Sequence, residues 1–268
     1  MEKIFDTHAH YFDSKFCEPE GGADSVLGSD ELSRTVAGIV NVGTNFESSL
    51  CAIEQAKKYD FMYAAVGIHP EDAQNVCKLD AKAEIMRLKT LISDENTRKE
   101  NKIVAIGEIG FDYYWQPADK ARQTEFFALQ MQLAKELELP VIIHNRDAHG
   151  DTFDMICSYP DVKGVLHSCS MSAEMVRELT KRGWYVSFSG TVTFKNANRV
   201  REACAAVPLD RLLMETDAPY LAPVPFRGKL NDSVKMKNTA LALAEIHNVS
   251  YDEIARITAD NARRLFLL

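Results

Sequence analysis

The chain opens with a short apolar strand that runs into two histidines, Lys3-Ile-Phe-Asp-Thr-His-Ala-His10. Side chains on a strand alternate between its two faces, so His8 and His10 point to the same side. Two neighbouring imidazoles at the end of a rigid element can chelate one divalent metal ion. The H-x-H spacing is a weak signal by itself, because such histidines are also found solvated or in structural roles. Its meaning therefore depends on what the rest of the chain supplies.

Further apolar segments have the length and composition of strands, and helical segments separate them. They comprise residues 36–43, 62–68, 103–108, 141–144, 164–167, 185–188 and 211–217. Helices that connect strands in this way join parallel strands of one sheet. Eight such units in 268 residues predict an α/β fold, a closed (β/α)8 TIM-like barrel formed by a single domain over residues 1–268. An open doubly wound sheet is the alternative, although no G-x-G-x-x-G follows an early strand.

The composition argues against several functional classes. A formal net charge of −8 is unlike the broad basic clamp that grips nucleic acid electrostatically. It leaves a phosphate substrate open, because bound metal ions can be the dominant positive charge of a site. No apolar run approaches the ~20 residues of a membrane span, and the first residues do not resemble a secretory signal. The 6 cysteines form no C-x-x-C pair, so we expect a cytoplasmic protein with reduced thiols and no membrane association.

Polar side chains stand where most of the predicted strands end. In these strands the polar residue shares its face with apolar residues that precede it, as His144 does with Ile142. The set comprises His8, His10, His69, Glu108, His144, His167 and Asp217. Catalytic groups of barrel enzymes lie at this C-terminal edge and come from several different strands. The clustering of histidines and carboxylates at strand ends therefore predicts a metal centre there.

The number and chemistry of these side chains predict two divalent metal ions. Mixed imidazole and carboxylate ligands suit zinc, manganese or magnesium, and ligand softness does not decide among them. Two ions close together can share a carboxylate and activate a water molecule as the nucleophile. Glu108 is the best candidate for the shared ligand, since its strand lies between the two groups. Asp217 is the candidate to bind one ion and to accept the proton of the attacking water.

Short sequence blocks surround these residues. They are Asp6-Thr-His-Ala-His10, Gly67-Ile-His-Pro70, Ile106-Gly-Glu-Ile-Gly-Phe-Asp-Tyr113, Ile143-His-Asn-Arg-Asp-Ala148, Glu215-Thr-Asp-Ala-Pro-Tyr220, Arg227-Gly-Lys-Leu-Asn231 and Asn261-Ala-Arg-Arg-Leu-Phe266. Taken in this order, the blocks resemble the TatD family of metal-dependent deoxyribonucleases. The single motifs are moderately specific, whereas their joint order is highly specific and covers essentially the whole chain.

The resemblance implies a TIM-like barrel related to the amidohydrolases and a two-metal nuclease. The implied activity is hydrolysis of phosphodiester bonds in DNA by a metal-activated water, as a 3′-to-5′ exonuclease on single-stranded ends. The implied ligands are His8, His10 and Asp217 for one ion, His144 and His167 for the other, and Glu108 for both. His69 is implied to lie close to the centre, where it contacts the substrate phosphate.

Two departures from the family pattern stand out. The sixth strand is followed by His167-Ser-Cys-Ser-Met171, where the family usually shows His-Cys-Phe-Ser-Gly. The block that ends at Asn231 is followed by Asp232-Ser233, where the family usually shows Glu-Pro. Both changes lie in loops that are expected to border the substrate. None of the implied metal ligands is lost, so we expect activity to be retained.

Several side chains are candidates for binding substrate. Arg146, Arg227 and Lys229 are expected to contact phosphate, whereas Lys195 fits a solvated surface charge better. Tyr113, with the Tyr114-Trp115 pair that follows it, can stack on a terminal base or pack a loop. The expected partner is DNA, with RNA as an alternative. We expect no obligate protein partner and a monomer.

Two other functions are possible for the same scaffold, because a fold does not determine a function. The first is hydrolysis of an amide, a lactone or a phosphotriester. Many such relatives bridge their metals with a modified lysine on strand four, and Glu108 at this position favours the nuclease branch. The second is a barrel without catalysis that binds nucleic acid or protein, against which the intact ligand set argues.

Overall fold

The computed structural model describes residues 2–17, 20–92 and 94–268. Its strands are β1 (Ile4–Ala9), β2 (Val36–Val42), β3 (Met62–Val66), β4 (Ile103–Asp112), β5 (Val141–Arg146), β6 (Gly164–Leu166), β7 (Tyr185–Phe188) and β8 (Leu212–Met214). Its helices are α1 (Gly22–Leu27), α2 (Asp30–Thr35), α3 (Phe46–Lys58), α4 (Pro70–Asn75), α5 (Ala81–Thr90), α6 (Glu95–Glu100), α7 (Lys120–Leu137), α8 (His149–Ser158), α9 (Ala173–Lys181), α10 (Asn198–Ala205), α11 (Met236–His247) and α12 (Tyr251–Phe266). The strands follow one another in the sheet in chain order.

The chain divides into two compact units. The first unit comprises residues 1–41 together with 167–268, and the second comprises residues 42–166. The expectation of a single domain over residues 1–268 stays a prediction.

In the first unit, strands from the two ends of the chain lie side by side. β1 pairs in parallel with β2, and β7 pairs in parallel with β8. A parallel bridge joins Ala9 to Ala218, and the Asp217 N–H donates to the His8 carbonyl at 2.9 Å. The segment after β8 is therefore a neighbour of β1, as a closed (β/α)8 barrel requires. Helix α12 packs against both strands and buries their apolar residues.

In the second unit, β3, β4, β5 and β6 form parallel pairs in sequence, and α7 covers β4. Gln130 of α7 accepts a hydrogen bond from the Ile68 N–H at 2.7 Å and donates to the Ile68 carbonyl at 3.0 Å. This buried amide holds the chain at the position that presents His69. Gly110 has a φ of +146°, and a Cβ atom there would lie 2.0 Å from the His144 carbonyl oxygen. Only glycine lets β4 and β5 approach so closely.

Eight strands in parallel order with helices between them confirm the predicted (β/α)8 fold class. The expected end of strand four at Glu108 is wrong, because β4 continues to Asp112. The polar composition of segment 93–101 predicts a loop, but residues 95–100 within it form α6, because the Asp94 side chain caps the first N–H groups of this helix. In the described part of the chain, no helix is long and apolar enough to cross a membrane.

Candidate metal centre

Three predicted ligands of the first unit converge on one point. His8 is fully buried and its Nε2 lies 3.0 Å from Nε2 of His10. Oδ1 of Asp217 lies 3.7 Å from Nε2 of His8 and 3.5 Å from Nε2 of His10. Two imidazole nitrogens and a carboxylate oxygen at this spacing form a donor set that suits a divalent cation. The pair from the start of the chain and the aspartate from its far end therefore lie next to one another.

Asp217 is held in its ionised form. Burial opposes ionisation, but the hydrogen bond with His10 and the charges of His8 and His167 outweigh it and hold the pKa of Asp217 below its usual value. The residue has a φ of +58°, a left-handed conformation that aspartate tolerates better than most side chains. This turn directs the carboxylate toward His8 and His10.

His167 joins the same group. Its ring stacks on His8 with a centroid separation of 4.0 Å, and a donor atom from each of His8, His167 and Asp217 lies within 4.8 Å of the others. Nδ1 of His167 lies 3.1 Å from Oε1 of Glu215, which also accepts the Ser168 N–H at 2.8 Å. A carboxylate bonded to one ring nitrogen orients the ring and leaves the other nitrogen for a metal. Glu215 was not predicted to be a partner of His167.

Asp6 accepts a hydrogen bond from the His8 backbone N–H at 3.3 Å. Its fully buried carboxylate accepts hydrogen bonds from the Thr216 N–H at 2.9 Å, the Thr216 hydroxyl at 2.7 Å and the Ser233 hydroxyl at 2.6 Å. Burial raises the pKa of Asp6 to about 6, against the opposing effect of these hydrogen bonds. Ser233 occupies the position at which the family usually has proline, so its bond to Asp6 depends on this departure from the pattern.

Predicted residues of the second unit form a cluster around His144. Its Nδ1 lies 2.8 Å from Oε1 of the buried Glu108, and its Nε2 lies 3.1 Å from Oδ2 of Asp112. Nε2 of His69 lies 3.7 Å from Oε1 of Glu108, and its ring meets His144 edge-on at 4.3 Å. Glu108 thus lies between two imidazoles within this unit.

The orientation of His69 follows from its place at the start of α4. Its Nδ1 accepts the Glu71 N–H at 3.1 Å, so the proton of the neutral ring is on Nε2. The backbone N–H of His69 donates to the Thr44 carbonyl at 2.7 Å. A neutral His69 therefore presents an N–H donor toward the carboxylate cluster.

Asp112 is the residue of this cluster that the strand-end argument missed. Burial opposes its ionisation, but the hydrogen bond with His144 and the charge of that ring hold the pKa of Asp112 below its usual value. Its other oxygen accepts the Tyr114 N–H at 2.9 Å. The period of two along a strand places Asp112 on the face of Glu108. That signal was available once β4 was known to continue past Glu108.

The candidate phosphate contacts differ in how their side chains are held. Arg146 ends β5, and its guanidinium lies 3.7 Å from the ring centroid of Tyr114. Arg227 is exposed, with its guanidinium 4.5 Å from the ring centroid of Phe194. Lys229 is exposed in the same loop. Asn231 holds this loop by donating to the carbonyls of Thr216 and Tyr220 at 3.0 and 2.7 Å.

The two remaining candidates lie elsewhere. Tyr113 donates its hydroxyl to Asp151 at 2.6 Å, and Lys195 is exposed.

Comparison with known proteins identifies the family of the chain. The family of TatD related DNases matches residues 5–267. The chain is 41% identical over 265 residues to the uncharacterized metal-dependent hydrolase YabD of Bacillus subtilis, with 98% of each chain covered. It is 36% identical to the uncharacterized metal-dependent hydrolase YcfH of Escherichia coli K12, covering 98% of this chain and 95% of that one.

Solved structures show the same fold. The crystal structure of YJJV, a TatD homolog from Escherichia coli K12, superposes with a TM-score of 0.88 at 27% identity and covers 99% of this chain and 98% of that one. A TatD family hydrolase from Entamoeba histolytica superposes with a TM-score of 0.82 at 19% identity and supports the fold alone. The resemblance drawn from the sequence blocks is confirmed, and the chain belongs to the TatD family of metal-dependent hydrolases, with an amidohydrolase-like (β/α)8 fold and histidine–carboxylate clusters able to bind metal.

Proposed function

We propose that this protein is a divalent-metal-dependent deoxyribonuclease that removes nucleotides from single-stranded DNA ends in the 3′-to-5′ direction. The observation that carries the proposal is the buried Glu108 on β4, hydrogen-bonded to His144. At this position the alternative hydrolases of amides, lactones or phosphotriesters were expected to have a lysine. A carboxylate here suits magnesium or manganese as well as zinc, and phosphoryl-transfer enzymes use such ions widely.

The ligand assignment follows the clusters within each unit. His8, His10 and Asp217 are proposed to hold one ion, because their donor atoms converge. The expectations that Glu108 is shared and that His144 and His167 hold a second ion stay predictions. Bound divalent ions would polarise a phosphate oxygen and lower the pKa of a water molecule.

The protein's own residues supply the remaining steps. The ionised Asp217 accepts the proton of the water that attacks phosphorus. The Nε2–H of His69 donates to a phosphate oxygen, and Arg146, Arg227 and Lys229 offset the phosphate charge. A bond forms from the water oxygen to phosphorus as the bond from phosphorus to the 3′-oxygen breaks, and the 3′-oxygen takes up the proton that Asp217 accepted from the water. That Tyr113 contacts the substrate stays a prediction.

The experiment that tests the proposal is a substrate panel. Single-stranded DNA, duplex DNA, RNA and model phosphodiesters are each incubated with magnesium, manganese and zinc. We expect fastest release of mononucleotides from the 3′ end of single-stranded DNA. Turnover of a lactone or an amide, with every phosphodiester inert, would overturn the proposal in favour of the alternative. A cytoplasmic location, a monomeric state and DNA rather than RNA as the partner stay predictions.

Replacing His8 by alanine is expected to lower the amount of bound metal and to reduce hydrolysis by more than about 100-fold. Loss of a residue that only orients a metal ligand costs up to about 100-fold, so loss of a ligand itself should cost more. The chain should still fold, because the strand keeps its backbone pairing. Metal content by elemental analysis and circular dichroism measure the two effects. His247→Gln, in α11 beside Cys204, is the matched control and should keep its metal. Unchanged turnover of the alanine variant with added magnesium would count against the site.

Replacing Glu108 by alanine tests the shared ligand separately. We expect less than two ions per chain at metal concentrations that saturate the unchanged protein, because both ions lose an oxygen ligand. The measurement is equilibrium dialysis followed by elemental analysis. Glu95→Ala, on the exposed surface of α6, serves as the control. Full occupancy by two ions in the Glu108 variant would refute the bridging role.

A further inference from the structure

An exposed pair of aromatic rings follows β4 directly. Tyr114 is 50% exposed and Trp115 is 49% exposed, and their centroids lie 4.9 Å apart at nearly right angles. Side chains of this size usually bury more of their surface, and exposed apolar surface beside a polar cleft often marks a binding site. The preceding Tyr113 behaves differently, because its hydroxyl is bonded to Asp151. The Tyr113 hydroxyl is thus engaged by α8, whereas the next two rings face solvent.

A cation accompanies the exposed rings. The guanidinium of Arg146 lies 3.7 Å from the ring centroid of Tyr114 and 5.7 Å from that of Trp115. Arg146 is itself exposed, so its charge is available to an anionic ligand. Lys120 adds a second cation, with Nζ 3.9 Å from the ring centroid of Tyr113. Aromatic faces next to positive charge complement a nucleotide, which has a planar base and an anionic phosphate.

The aromatic pair is tied to the carboxylate–histidine cluster of the same unit. The Tyr114 N–H donates to Asp112, and Asp112 contacts His144. Arg146 lies two residues after His144 on β5, and its carbonyl accepts the Tyr113 N–H at 2.9 Å. Three residues of chain span at most ~10 Å, so Trp115 lies within that distance of Asp112 along the backbone. The rings therefore border the cluster rather than a remote surface.

We propose that Tyr114, Trp115 and Arg146 form a stacking subsite for a nucleobase at the single-stranded end of the substrate. The inference rests on the proposed function, which it deepens by naming the feature of the substrate that is read. Stacking on an aromatic ring tolerates any base, because every base has a π-face. Bases inside a duplex have both faces covered by neighbours, whereas an unpaired base can turn a face to Trp115. The subsite therefore favours single strands without favouring a sequence.

The chain has two tryptophans, which makes the subsite directly measurable. Trp184 is buried, with 2% exposure, so Trp184→Phe leaves Trp115 as the single fluorescent reporter. The metal-loaded full chain is titrated with thymidine 5′-monophosphate, 2′-deoxyadenosine 5′-monophosphate and 2-deoxyribose 5-phosphate. These probes contain no phosphodiester bond, so binding is read without hydrolysis. We expect saturable quenching by both nucleotides, stronger for the purine, and none by the base-free sugar phosphate.

Quenching by the base-free phosphate equal to that by the nucleotides would overturn the subsite, as would the absence of any saturable quenching. If the substrate panel shows hydrolysis while quenching is absent, the subsite fails and the proposed function stands. If quenching is base-dependent while no phosphodiester is cut, the subsite stands and the nuclease fails.

Kinetics on single-stranded DNA provide the second readout. Trp115→Ala is expected to raise KM roughly tenfold, the size of one lost stacking contact, with kcat little changed. Trp115→Phe keeps a π-face and should recover most of the affinity. Met86→Ala removes an apolar side chain of 64% exposure from α5 of the same unit and should leave both constants unchanged. An unchanged KM in an alanine variant whose fold is intact would contradict the subsite.

Discussion

Replacing Asp217 by asparagine is expected to abolish nearly all hydrolysis while the chain still folds and binds DNA. The substitution keeps the shape of the side chain and the turn at φ +58°, which asparagine also tolerates. It removes the negative charge, so the side chain can no longer accept the proton of the attacking water. A general base contributes about 10²- to 10⁴-fold, and loss of a charged metal ligand adds to this, so kcat should fall by at least about 10³-fold.

The measurement separates chemistry from binding. Rates of nucleotide release give kcat, and fluorescence anisotropy of a labelled single-stranded oligonucleotide gives the dissociation constant. Asp210→Asn, which changes an exposed aspartate of the same unit, is the matched control and should be fully active. An Asp217→Asn variant that retained a tenth of the activity would show that another group accepts the proton.

Replacing Asp6 by alanine is expected to produce the largest loss of stability. The change leaves the Thr216 N–H and the hydroxyls of Thr216 and Ser233 without their buried acceptor. An unsatisfied buried donor costs about 1–3 kcal/mol, and rearrangement of the hydroxyls recovers part of this, so the free energy of unfolding should fall by roughly 3–5 kcal/mol. Urea unfolding measures the change as a lower midpoint with an unchanged slope.

Two further variants test the cause. Ser233→Ala removes one donor and should cost only about 1 kcal/mol. Asp6→Asn removes the titratable group. Burial raises the pKa of Asp6 from 3.8 to about 6 in the folded chain, so the folded state binds the carboxyl proton more tightly than the unfolded state does. The stabilising contribution of that proton is fully present below pH 3.8 and is lost as pH rises through about 6. The stability of the unchanged protein should therefore fall relative to Asp6→Asn between these values. Parallel pH profiles of the two proteins would contradict the explanation.

The local pattern of the chain was enough to predict the elements that carry the site. The alternation of side chains along a strand depends only on neighbouring residues, so it could place His8 beside His10 and Glu108 on the face of its strand. Strand ends were harder to predict, because β4 continues to Asp112 through pairing with β5 rather than through its own composition. This is why the sequence predicts Glu108 as a site residue but not Asp112.

The aromatic residues that follow β4 show the same division. The sequence shows three adjacent aromatic residues, Tyr113, Tyr114 and Trp115, and residue type alone does not tell which of them are exposed. Their exposure differs because Asp151, which comes from α8, bonds the Tyr113 hydroxyl. Exposure depends on what packs against each ring, and that partner lies far along the chain.

By itself, the sequence determined the order of the strands, the polar residues near most of their ends and the family, because each depends on local periodicity or on short blocks of adjacent residues. Only the tertiary structure decided which of these residues meet. Asp217 reaches His8 and His10 because the segment after β8 pairs with β1. The nitrogen of His167 that meets Glu215, and the nitrogen of His144 that meets Asp112, likewise depend on the packing of distant segments. Ring orientation is set by contacts between residues far apart in the chain, about which local periodicity contains no information.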